Sequence, residues 1–422
     1  MPRPAFDAPA DALAVARALA GHEAPALVWT NGGRTAYVAC DPVAESRELD
    51  PEPGLVLRER PGAEFPRWFG LVPYEARRTL ERRAADARPA PSLELPLWRR
   101  YDAVVEITNE VRVLGVSSQA MAELESKLAR GLRSPLAARR ARLSLRAPVE
   151  PGSEHAARIE RALELIARGE VYEVNLARSF DLDVEGSLFD LFEVLTAAGR
   201  PPHSAVFAWP ELGVVAASPE LCLSLDTRGI ARTKPIKGTR PRDGENERDR
   251  ALAEELDRDP KERAELAMVI DVERSDLGRV ARAGSVRLAE APHVESHPTV
   301  HHRVATVEAH LRPEVSRREL FEAMLPSGSV TGAPKIRAME VIAELERVRR
   351  GLYTGAFGVL CQDGSLELGM AIRVLTVSGG SARYYSGGGI VADSEPAREV
   401  EETLWKAAAI LGAAGEGAEN WA

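Results

Sequence analysis

Two acidic clusters and one lysine-bearing loop are the residues of this chain best suited to chemistry. Glu265 lies in the run Ala264 to Val272, which is apolar apart from it and Asp271. A helix with that pattern is expected to be buried, and a buried carboxylate is costly unless a cation neutralises it. Lys261, one turn earlier, could be that cation. Near the C-terminal end, Glu399, Glu402 and Lys406 fall at i, i+3 and i+7 on one helix face, with Val400, Leu404 and Leu411 opposite and Ser394 as the expected cap. Alone this is a solvated charged face. Just before it, however, runs Gly387, Gly388, Gly389, where backbone amides can approach and bind a carboxylate or phosphate. Anion-binding amides beside paired carboxylates suggest a metal bridging an acidic substrate, and oxygen-only ligands point to Mg2+.

Between these clusters sits PIKGT at 235 to 239, followed by Arg240 and Arg242. Lys237 could be a surface charge. In a site shared with a metal and arginines, positive neighbours would lower its pKa and free a nucleophilic amine. PSGSVTGAPK at 326 to 335 is a second Gly-rich turn, entering a helix with apolar Ile336, Met339 and Ile342 behind it.

Elements must hold these residues in place. Asp259, Pro260 and Glu262 have the form of a helix start, and a second helix runs from Ser153, with Ile159, Leu163 and Ile166 at helical spacing and Gly169 as a stop. Alternation of Tyr172, Val174, Leu176, Phe180, Leu182 and Val184 predicts a half-buried strand over Val171 to Val184. Further strands are predicted at Ala26 to Trp29, in Val104 to Val116, and at Ser204 to Trp209, Gly213 to Ala217, Leu221 to Leu225, Gly355 to Cys361, Leu366 to Thr376 and Ala382 to Ser386. Strands in runs with helices between them imply an α+β architecture with largely antiparallel sheets. The Arg-, Ala- and Pro-rich stretch from Ala137 to Gly152 divides the chain into a region 1–145 and a region 150–415.

A net charge of -9 supplies no basic surface for nucleic acid. The Ala-rich N-terminus is interrupted by Asp7, Asp11 and Arg17, and no apolar run reaches membrane-spanning length, so a cytoplasmic protein without a membrane partner is expected. Cys40, Cys222 and Cys361 have neither metal-ligand nor redox spacing.

Taken together, PIKGTRPR, DLGRV at 276 to 280, GSVTGAPKIRAMEVI at 328 to 342, AIR at 371 to 373 and GGGIVADS at 387 to 394 stand in an order that resembles chorismate-utilising enzymes. The resemblance is strong over about 150–415 and looser in the N-terminal third, which is similar to the accessory region of anthranilate and aminodeoxychorismate synthases. It implies the fold of that family, antiparallel sheets packed as a sandwich with helices outside. It also implies residue roles. Glu265 and Glu402, with Glu399 close by, match magnesium ligands that hold the ring carboxylate of chorismate. Thr239, Tyr353, Arg373, Lys406 and the backbone of Gly388 and Gly389 match substrate-binding positions, and His302 matches the active-site histidine.

Lys237 stands where aminodeoxychorismate synthases carry a lysine and anthranilate synthases usually carry alanine. The resemblance therefore implies attack by Lys237 on ring C2, departure of the C4 hydroxyl with Glu220 as general acid, and entry of ammonia at C4. Amination at C2 with loss of pyruvate, the anthranilate reaction, is the alternative. Glu173 replaces the glutamine usual among ammonia users, Ser275 a common asparagine and Val374 a common threonine. No cysteine lies in a Gly-x-Cys-x-Gly turn, so ammonia is expected from a separate glutamine amidotransferase subunit.

Overall fold

The computed structural model describes residues 11–53, 65–79, 88–146 and 150–415. The start of the Ala-rich N-terminus, with Asp7, and residues 147–149 of the expected connection lie outside them. The described strands form two antiparallel sheets, one of eleven strands and one of ten. Ala205, Phe207, Val214 and Ala216 from the first sheet meet Phe69, Leu71, Phe357 and Val359 from the second in a buried cluster between them. The intervening Val206 and Val215 point the other way, into a cluster under the helices Ala12–Leu19, Leu188–Leu195 and Pro396–Ala413. Period-two alternation thus buries both faces of these strands, which is why they read as continuous apolar runs. The outer face of the second sheet is covered by the helices Pro260–Gly278 and Arg317–Met324. The sandwich with external helices is as the sequence implies.

Strands from both ends of the chain share each sheet. Ala26–Thr30 pairs with His203–Ala208 in one, and Pro66–Val72 with Ala356–Cys361 in the other. The region Val104 to Val116 is a hairpin of Ala103–Ile107 and Val111–Gly115.

Several local expectations need correction. Leu366 to Thr376 is two strands, Leu366–Met370 in one sheet and Val374–Ser378 in the other. The chain crosses between them at Arg373, whose φ of 51° is left-handed and breaks the extended run. Tyr172 is 69% exposed rather than inward, because it precedes the strand Glu173–Glu185. The helix Pro260–Gly278 starts as predicted, Asp259 accepting from the amides of Lys261 and Glu262. It is not buried all round: Leu266, Val269, Ile270 and Glu273 face inward while Ala264, Ala267 and Asp271 are exposed. Ile336 is largely exposed, whereas Met339 and Ile342 are buried. Two paired strands, Arg287–Ser296 and Val300–His310, were not foreseen in the sequence.

Among the described residues no helix is long and apolar enough to cross a membrane.

Candidate active site

Five elements converge on one cleft. The strands Glu173–Glu185 and Ser381–Ile390 pair with Asn175 opposite Gly389, Leu176 opposite Gly388 and Ala177 opposite Gly387. This register sets the glycine run beside Glu173. The other walls are the strand Ile236–Pro241, carrying Lys237, and the facing helices Pro260–Gly278 and Pro396–Ala413.

Lys237 is buried, and its Nζ lies 2.7 Å from Glu173 Oε1. Its neighbours are carboxylates, which corrects the expectation of a positive surrounding. Arg240 is turned to Glu255 and Asp259, and Arg242 to Asp249. Arg240 leaves the strand towards the start of the helix Pro260–Gly278, and Arg242 lies past the strand's end. Burial pulls the Lys237 pKa down, but Glu173, Glu265 and Glu220 together hold it above the ordinary lysine range. The lysine rests as an ammonium ion.

The acidic clusters meet across the cleft. Lys261 Nζ stands 3.9 Å from Glu265 Oε1 and 3.7 Å from Glu399 Oε1, so the expected Lys261–Glu265 pair forms and also reaches the second helix. Glu402 Oε1 takes Lys406 Nζ at 2.6 Å, and the same ammonium donates to the Gly387 carbonyl at 2.8 Å. Ser394 is not the helix cap; Glu395 takes that position, and the Ser394 hydroxyl donates to Glu399 at 2.7 Å. Burial pushes Glu265 up to about 7 and raises Glu399, in each case with a like charge adding to it. Glu402 is lowered, because Lys406 and Lys261 outweigh its burial.

The glycine run is a cradle that side chains would fill. A Cβ at Gly389 would lie 2.3 Å from Glu173 Oε1 and 3.1 Å from Lys237 Nζ, and one at Gly388 3.2 Å from Glu399 Oε2 and 3.5 Å from Glu402 Oε1. Carboxylates gathered on a cleft, two of them held above their usual pKa by burial, with oxygen donors only and open backbone beside them, suit a hard divalent cation. Glu265, Glu399 and Glu402 are the residues that could hold it. Two compact donor sets elsewhere among the described residues, His22, Cys40 with Asp41, and Glu290, His293 with Glu295, hold a lysine at 2.7 Å and 2.6 Å, as Glu402 holds Lys406.

Thr239 and His302 face each other on paired strands, the hydroxyl 3.0 Å from Nδ1. Burial, with Arg373 and His297 adding to it, pushes His302 down to about 3, so it is a neutral hydrogen-bonding ring. Glu220 is buried, and its Oε1 has no hydrogen-bond partner. Burial raises it to about 7, against the pull of Ser329 and Lys237, so a proton is retained near neutrality. Tyr353 is buried and stacked on Tyr385 at 5.0 Å, with its hydroxyl raised by burial.

A cleft lined by carboxylates, lysines and open glycine backbone on an antiparallel sandwich is the arrangement of a ligand-binding α+β protein. A family model described as chorismate binding enzyme matches residues 14–412, and the chain belongs to that family. It is 36% identical over 365 residues to aminodeoxychorismate synthase component 1 of Klebsiella aerogenes, covering 86% of this chain and 79% of that protein. It is 43% identical over 253 residues to anthranilate synthase component 1 of Thermus thermophilus, covering 60% of this chain and 54%, about half, of that relative. Among solved structures it is similar to anthranilate synthase component I from Streptococcus pneumoniae TIGR4, with a TM-score of 0.76, 26% identity and coverage of 90% and 93%.

Sequence reasoning noted Glu173 only as a departure from a usual glutamine and missed it as the ion partner of Lys237. The available signal was charge complementarity between the two departures from neutrality in VYEVNLAR and PIKGT.

Proposed function

We propose that the chain converts chorismate and ammonia to 4-amino-4-deoxychorismate, for 4-aminobenzoate and folate synthesis, with ammonia supplied by a glutamine amidotransferase subunit. The observation that carries this reading is Lys237, buried beside Glu173 in the same cleft as Glu265 and Glu402. A relative named aminodeoxychorismate synthase component 1 aligns over most of the chain, which supports it further.

Magnesium bound by Glu265, Glu402 and Glu399 would neutralise this acidic cluster and hold the ring carboxylate of the substrate. Arg373, Lys406, Thr239, Tyr353 and the Gly388 and Gly389 amides would bind its remaining polar groups, with His302 oriented by Thr239. Lys237 first passes a proton to Glu173, 2.7 Å away. Its nitrogen then bonds to C2 as the ring double bonds shift and the C4–O bond breaks, and the Glu220 proton leaves with the hydroxyl as water. Ammonia bonds to C4, the double bonds shift back, and the C2–N bond breaks onto the lysine. The proton that ammonia sheds returns to Glu220, and Glu173 returns its proton to the released lysine, which restores the resting ion pair. Assistance of this kind to a leaving hydroxyl is typically worth about 100- to 10,000-fold.

The second reading is amination at C2 with pyruvate elimination, favoured by the higher identity to the Thermus anthranilate synthase component 1 over a shorter span. Incubation with chorismate, magnesium and ammonium, followed by mass spectrometry, separates the two. A product retaining the enolpyruvyl ether is expected; anthranilate with released pyruvate would overturn the assignment.

A further inference from the structure

Behind the cleft lies a second pair of acidic side chains, joined by a serine turn. Glu273, on the inner face of the helix Pro260–Gly278, is 0% exposed, and Glu220 is 4% exposed. Ser327 Oγ donates to Glu273 Oε1 at 2.5 Å, and the Ser329 amide lies 3.4 Å from the same oxygen. The Ser329 side chain lies close enough to the Glu220 carboxyl to oppose its raised pKa. Gly328, between the serines, is required by the fit: a Cβ there would stand 2.4 Å from Val272. Glu273 Oε2 and Glu220 Oε1 are both buried without a hydrogen-bond partner. The other titratable groups acting on the pair are Lys237 on Glu220, Asp276 and Lys335 on Glu273, and Cys222, which feels both carboxylates.

Two carboxyls in one buried pocket do not both ionise cheaply, so the proton stays with whichever has the poorer support for its charge. Glu273 has the better support, with the Ser327 hydroxyl, the Ser329 amide and the Lys335 ammonium, although burial and Asp276 still raise it. Glu220 faces the resulting charge, which adds to the effect of its own burial.

We propose that Glu273 is a positioning residue for Glu220: held by the serine turn, its carboxylate adds to burial in keeping the proposed general acid protonated. No bond is made or broken at Glu273 in this role. The proposal rests on Glu220 being the proton donor, as set out above.

The test is the pH dependence of kcat/KM with chorismate, magnesium and ammonium, free ammonia being held constant. In the unaltered protein, activity falls as pH rises through the ionisation of Glu220. Glu273→Gln removes the repelling charge and moves that limb to lower pH by about half a unit or more. Ser327→Ala withdraws a donor from Glu273 and moves it the same way by less, and it carries the test should Glu273→Gln not fold. A lower kcat with the limb unmoved in these variants would mean a merely structural role and overturn the proposal. Glu220→Gln separates the two layers: loss of the limb in this variant supports Glu220 as the donor, whereas a limb that survives removes the general-acid reading itself.

Discussion

Glu173 Oε1 and Lys237 Nζ form a buried ion pair at 2.7 Å in the centre of the cleft. The pair decides the resting charge of the lysine, since burial alone would favour the neutral amine and the surrounding carboxylates reverse that preference. Glu173→Gln removes one of those charges while keeping the side-chain shape. It also removes the acceptor of the Lys237 proton, so kcat/KM at neutral pH should fall, with part of the loss recovered as pH rises and solvent takes the proton instead. Unchanged activity at neutral pH would mean that Glu173 does not deprotonate Lys237.

Gly389→Ala drives a methyl group into this pair, 2.3 Å from the carboxylate oxygen. Displacement of reacting groups by about 1 Å costs on the order of 100-fold in rate, and a loss of that size in kcat/KM is expected. Gly388→Ala meets its nearest carboxylate oxygen at 3.2 Å and should be milder, with its effect concentrated in the magnesium requirement. Steady-state kinetics of the two variants side by side checks the ordering.

Glu402→Gln weakens the proposed cation site, so the magnesium concentration giving half-maximal activity should rise by about tenfold or more. Glu265→Gln should do the same and change stability in the chelated protein. The folded Glu265 carboxyl is raised from 4.5 to about 7, so the folded state binds the additional proton in that window and metal-free stability declines as pH climbs through it. Thermal melts in a chelator should show a shallower decline for Glu265→Gln than for the unaltered protein.

Arg350 ties together the segments behind Tyr353. It is fully buried, pairs with Glu346 at 2.6 Å, and donates to the carbonyls of Asn175 and Val330 and to Thr354. Glu346→Ala leaves that guanidinium without its counter-ion and should cost about 3–5 kcal/mol in urea unfolding.

Much of this arrangement could be read from the chain, and the exceptions have physical causes. Asp259 and Pro260 marked a helix start because capping is local chemistry, and the alternating runs marked strands because sheet burial repeats every second residue. The division of Leu366 to Thr376 at Arg373 was hidden, since a change of sheet follows from a left-handed residue that no composition rule demands at an arginine. The strand Val300–His310, which brings His302 to Thr239, was missed with its hairpin partner Arg287–Ser296, which is largely exposed and carries no apolar alternation, and its pairing with Ile236–Pro241 joins segments distant in sequence. Lys237 and the acidic clusters were identifiable by type and motif. The sign of the Lys237 environment was not, because it depends on which carboxylates draw Arg240 and Arg242 aside and on Glu173, distant in sequence.

The most direct test of the covalent route is to mix the protein with chorismate and magnesium in the absence of ammonia, quench with acid, and measure the mass of the peptide containing Lys237. The account predicts an increment equal to chorismate less one water on Lys237, absent in Lys237→Ala. An unmodified lysine in a preparation that aminates chorismate on addition of ammonium would contradict it.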